Sequence, residues 1–242
     1  MLMKHRMVFL KGALCALVAS FSCLSQAATI IKLNLGGVGP DLQMNAGGTL
    51  STDTDNDPTT PGDQNTAIEY TGFLDPLFAD VSGSPPASFS LSGLQADPAG
   101  AAFSLGLVIQ GFHGGNFNLY GSNNTLLLSG TVATATLAGV TTPPGTGSLF
   151  TTTLGAITGG TLQPLIVPGT VSVSMNLATV NGGNGFSTVT GPGGILVLQP
   201  FKADASALIS GAPSPNVPEP ASMTFVLAAV VLGGACGRRR LR

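Results

Sequence analysis

The sequence has no tryptophan, few charges, and almost no cysteine or histidine where a folded domain would use them. Its three cysteines, Cys15, Cys23 and Cys236, all sit in the terminal segments, so the body has neither a disulfide framework nor a thiolate metal site. His113 is the body's one histidine, and a single imidazole without thiolates is too few ligands for zinc. Seven of the nine basic residues are also terminal, which leaves Lys32 and Lys202 against ten acids and a body charge of −8. Two lysines cannot neutralise a run of phosphates, and this excludes nucleic acid as a partner. No glycine-rich stretch leads into Lys-Ser or Lys-Thr, so there is no phosphate loop.

What is present is glycine (34), proline (17), serine, threonine and an apolar fraction of 43%. That apolar content is too high for a disordered chain, and about 190 residues between the terminal segments suffice for one domain with a sizeable core. Short strands joined by Gly-rich turns suit such a composition.

The two ends are targeting segments in pattern. Lys4, Arg6 and Lys11 precede an apolar stretch from Gly12 to Ser22, and Ser25-Gln26-Ala27 places small residues before Ala28. Residues 1–27 therefore read as a cleavable signal peptide. Near the other end, Val217-Pro218-Glu219-Pro220 leads into an uncharged stretch from Ala221 to Gly237, closed by Arg238, Arg239, Arg240, Leu241 and Arg242. A helix over 221–237 would reach ~25 Å, the short edge of a membrane span. The arginines would hold its end in the cytoplasm and leave the body outside. The two prolines keep the motif extended and outside the helix, open to a peptidase.

This order of Pro-Glu-Pro, short apolar helix and terminal arginines resembles the PEP-CTERM sorting signal, over about the last 25 residues. The resemblance implies recognition at Pro218, Glu219 and Pro220 by an exosortase, a membrane-embedded cysteine peptidase that removes the tail. It further implies a Gram-negative host, transient anchoring in the inner membrane, and release to the envelope or beyond in association with exopolysaccharide and biofilm matrix. The body, residues 28–210, resembles no family. Residues 211–216 (Gly-Ala-Pro-Ser-Pro-Asn) read as a stiff linker.

Period-2 alternation predicts about ten strands. They are Ala28–Leu35, Ile68–Leu74, Ser88–Leu94, Phe103–Gln110, Asn116–Tyr120, Thr125–Ser129, Thr131–Leu137, Ser148–Leu154, Val171–Val180 and Ile195–Phe201. Asp204 to Ser210 reads as a helical turn or an edge strand. The expected class is all-β, an antiparallel β-sandwich of jelly-roll type, followed by the one short transmembrane helix.

Few residues suggest chemistry. Asp53, Asp55, Asp57 and Asp63 alternate through T-D-T-D-N-D-P-T-T-P-G-D and offer the oxygen ligands of a loose calcium site. Pro58 stands where an EF-hand needs glycine, and Gln64 replaces its closing glutamate, so the loop is no EF-hand; a solvated acidic loop is the other reading. Asp41, Glu69, Asp75 and Asp80 would complete a site only if the fold returned them to it. His113 lies beside Gly114-Gly115 with no G-x-S-x-G elbow, which reads as a turn histidine more readily than a hydrolase base. Phe73, Phe112, Phe117 and Tyr120 suit core or a sugar-stacking platform equally. Thr134-Ala135-Thr136 and Thr151-Thr152-Thr153 read as strand alternation, and as acceptors for O-glycosylation on an outward face.

The expectation is thus an exported, non-catalytic surface or matrix protein; a carbohydrate-binding module and a secreted hydrolase are the rivals. Calcium, if bound, raises the thermal midpoint, and a midpoint unmoved by millimolar calcium or chelator excludes a stabilising site.

Overall fold

The computed structural model describes residues 28–36, 39–52, 63–78, 87–121, 124–141 and 148–215. The signal peptide, Asp53, Asp55, Asp57, Asp80, the Pro-Glu-Pro motif, the 221–237 segment and the arginine tail lie outside them. Among the described residues no helix is long and apolar enough to cross a membrane.

The chain is built of antiparallel strands, as the alternation predicts. In order they are β1 (Ala28–Asn34), β2 (Leu42–Met44), β3 (Thr49–Thr52), β4 (Asp63–Tyr70), β5 (Ala87–Ser92), β6 (Leu94–Ser104) and β7 (Leu107–His113). Then come β8 (Asn116–Tyr120), β9 (Leu126–Val140), β10 (Ser148–Gly159), β11 (Ser172–Ala178), β12 (Thr188–Thr190), β13 (Leu196–Leu198) and β14 (Phe201–Gly211). A single helical turn, α1 (Asp75–Phe78), follows β4 and stacks Phe78 on Tyr70 with ring centroids 4.8 Å apart.

Twelve strands form one sheet, and β12–β13 make a separate hairpin. The sheet closes on itself because two long strands serve two partners each along one edge. β9 pairs with β8 over 126–131 and with β7 over 134–140. β14 pairs with β2 over 201–203 and with β1 over 206–211. Between these two strands run β10 and β11 on one side. On the other run two half-sheets, β1–β4–β5–β8 and β2–β3–β6–β7. One contiguous apolar core fills the interior, with Phe89, Phe117 and Phe150 fully buried.

Four predicted segments are corrected. Asp204–Ser210 is neither a helical turn nor an edge. It belongs to β14, which has partners on both sides, and its alternation is hidden because Ala203, Ala205 and Ala207 are the core-facing residues. Phe103–Gln110 is not one strand but a hairpin, turning at Leu105 and Gly106, both at positive φ (52° and 81°). Thr125–Ser129 and Thr131–Leu137 are one strand. Gly130 between them is no turn but a close approach, since a Cβ there would stand 2.5 Å from the Phe117 ring and 2.6 Å from the Ala156 carbonyl. The first linker residues also lie against the body. Val167 donates to the Ala212 carbonyl (2.9 Å) and Ser214 to that of Leu165 (2.9 Å).

Candidate functional site

Among the described residues, the acids considered for calcium do not gather into a site. Asp63 opens β4 with its backbone opposite Phe89. Glu69, on the outer face of β4, pairs with Lys32 across the strand at 3.2 Å, and Asp75 begins α1. Among the described residues no three of His, Cys, Asp and Glu gather as a metal site would require. His113 is exposed at the end of β7, opposite Gln95 and Thr134, and among the described residues no carboxylate or serine hydroxyl is bonded to it. Phe73, Phe112 and Phe117 are buried, so three of the four aromatics considered for sugar stacking are core residues.

Among the described residues a recess lies where β14 changes partner. It encloses about 470 Å³ and is lined by Pro40, Thr179, Asn181, Gly182, Lys202 and Asp204. Its wall is the turn after β11, which carries Thr179 and Asn181 at positive φ (46° and 50°). Thr179 donates its hydroxyl to the Asp204 carboxylate. Asn181 extends the β14 ladder by one false rung: its amide donates to the Lys202 carbonyl (2.8 Å), and its Oδ1 accepts from the Lys202 amide (3.2 Å).

Behind this recess Asp41 is buried, 5% exposed. Its Oδ2 accepts the Ala205 amide at 2.6 Å. Ala205 falls between the last residue paired to β2, Ala203, and the first paired to β1, Ser206, so the carboxylate takes a donor that neither neighbour's ladder reaches. Burial pushes the Asp41 carboxyl above its ordinary value; the Ala205 amide lowers it, and the nearby Asp204 charge raises it again. In the sequence Asp41 is one of four acids that would complete a calcium site only if the fold returned them to the acidic loop. Its role depends on pairing with a residue 164 positions away, which no local pattern carries.

The second surface of interest is flat. Thr136 faces Thr151 and Thr134 faces Thr153 across β9 and β10, all four exposed, while Ala135 and Thr152 between them are buried. Alternation therefore accounts for both threonine runs. Ser174 on β11 continues the Thr136–Thr151 row. Thr152 turns inward and accepts the Val173 amide at 3.0 Å.

No family model, curated protein or solved structure matches this chain.

The buried carboxyl makes a pH prediction. The folded state holds the Asp41 proton to higher pH than the unfolded chain, so stability falls as pH rises from about 3.8 through the raised folded value. Asp41→Asn keeps an acceptor for Ala205 without a charge, so its thermal midpoint should lose this slope and match or exceed that of the wild type at neutral pH. Asp41→Ala leaves the Ala205 amide without an acceptor and should cost about 1–3 kcal/mol at any pH. Identical pH profiles for wild type and Asp41→Asn would contradict this role.

Proposed function

We propose that this chain is an exported, non-catalytic cell-surface or extracellular-matrix protein. An exosortase sorts it through Pro218-Glu219-Pro220, and it associates with exopolysaccharide. Its body is read as a jelly-roll-like β-sandwich, with the β9–β10–β11–β14 layer packed against the two half-sheets.

The observation that carries this reading is the rung between Ala28 and Gly211. The first residue after the predicted signal cleavage and the first residue of the linker are direct partners. A body held between a leader and a C-terminal sorting tail needs both processing points on one side, clear of its core. This pairing supplies that arrangement. The bonds from Ala212 and Ser214 to the segment before β11 keep the exit fixed. Proline at 213, 215 and 218 then favours an extended departure from the body.

The exposed Thr134, Thr136, Thr151 and Thr153 favour carbohydrate binding as a second reading. An uncharged hydroxyl face can contact a polysaccharide by hydrogen bonds without aromatic stacking. The same hydroxyls are open to O-glycosylation.

The deciding experiment is the intact mass of the protein from its native host, taken separately from membrane and extracellular fractions. Loss of residues 1–27 and of the tail beyond Pro218-Glu219-Pro220 in the extracellular fraction is the expected result, and excess mass would report glycan. A mass that retains 221–242, found only in membranes, means a permanent anchor and removes the sorting reading.

A further inference from the structure

From Pro98 to Phe201 the chain holds no Asp, Glu, Lys or Arg. That span supplies β7 to β13 and the end of β6, while the charged side chains of the described residues sit on β1 and β4, just before β2, on α1, and at the start of β6 and of β14. The body is therefore electrically one-sided. Its neutral side is covered by threonine and serine over most of its outer face, but not at one end.

There the outward positions turn apolar. Ile109, Ala138 and Leu149 form one row across β7, β9 and β10, and Leu107 with Val140 forms the next. Leu107 and Ile109 are each 48% exposed and Leu149 43%. Leu105, at the tip of the β6–β7 turn, is 99% exposed. It also stands at φ 52°, beside Gly106 at 81°. A two-residue turn of this kind is normally built from Asn-Gly, because leucine strains the backbone there. Neither the turn nor the core gains from leucine at this position.

An open edge adjoins the patch. β6 pairs with β3 only at Leu94 and Gln95 and lies against Ile195 and Leu196 at Gly100, and beyond Gly100 no described strand pairs with the outer edge of Ala101–Ser104. Natural edges of this kind are blunted by lysine, proline or a charge, and Ala-Ala-Phe-Ser has none.

We propose that this apolar end of β6, β7, β9 and β10 is the surface through which two copies of this chain associate. Like-charged bodies repel each other except across a neutral face, and this end of the neutral side is apolar. The first and last strands of the body begin and end away from it. Gly211 leaves β14 about 20 Å along the strand from Asp204, whose row leads across β11 towards the Leu107 end. An open edge can also meet its own copy antiparallel about a two-fold axis, with the same residues on both sides. A lipid surface fits less well, because the tip has no Trp, Tyr, Lys or Arg to hold it at an interface. The inference deepens the matrix reading by naming a partner, and rests on that reading only for its setting.

The test is sedimentation of the purified protein over a concentration series, in mild detergent if the tail is retained. The wild type is expected to dimerise. Leu105→Asp and Leu149→Asp, both at exposed positions, should each raise the dimer dissociation constant at least about tenfold. Thr134→Asp, which adds the same charge to the same sheet outside the patch, should leave it unchanged. A wild type that stays monomeric throughout overturns the proposal, as does an equal shift from Thr134→Asp. So does a monomer that pellets with neutral phosphatidylcholine vesicles and loses this with Leu105→Asp, which would assign the patch to lipid. A monomer trimmed at both ends defeats this inference alone, whereas a dimer that retains 221–242 defeats the sorting reading alone.

Discussion

The whole fold depends on two strands that change partner midway. Wherever a strand's neighbour stops and another begins, a backbone donor or acceptor falls between the two ladders, and an unpaired buried amide costs about 1–3 kcal/mol. Each junction here has its own remedy. On β9 the Val132 amide lies just past the β8 ladder, and the Gly115 carbonyl from the β7–β8 turn takes it at 2.9 Å. On β14 the Ala205 amide finds the Asp41 carboxylate. Midway along the seam between the half-sheets, the buried Thr52 hydroxyl accepts the Leu91 amide at 2.9 Å and faces its carbonyl at 3.4 Å. A carbonyl, a carboxylate and a hydroxyl thus close one line of weakness. With it closed, two narrow half-sheets behave as one layer over one core.

The seam also explains where the special backbone sits. Gly115 cannot be replaced without collision, since a Cβ there would stand 2.8 Å from both the Leu94 side chain and the Ser92 carbonyl. The turn after β11, with Thr179 and Asn181 in the left-handed region, lets Asn181 continue the β14 ladder against Lys202. Strain of this kind often marks a ligand site. Here it has a structural use, and Asp41 has one too. The outer faces carry a hydroxyl-covered neutral sheet that ends in an apolar tip, and the two ends of the body are joined side by side at Ala28 and Gly211.

Strand type was largely legible, because outward Thr and Ser alternating with inward Leu, Val and Phe is a local signal. Asn116–Tyr120 matches the predicted bounds at both ends. What misled was residue size. Alanine faces the core on β14 where Leu or Val would have announced a strand, so its central strand read as a helical turn or an edge. Gly130 looked like punctuation but is a contact with Phe117. Leu105 looked like strand interior because its positive φ has no sequence marker except the glycine after it. The closure of the sheet was not legible at all, since it depends on rungs between residues as distant as Thr29 and Ser210. Of the candidate site, the acidic loop was visible but lies mostly outside the described residues. Asp41 was visible only as a charge.

The central claim is that the seam is sealed and the body unfolds as one unit. Native-state hydrogen exchange at the Leu91, Val132 and Ala205 amides tests it most directly, because each reports one seal. All three should exchange only through global unfolding, with the same free energy as the core amides of β10. Exchange of these three by a lower-energy opening, while the half-sheets on either side stay protected, would show a hinge where the account places a bond and would contradict it.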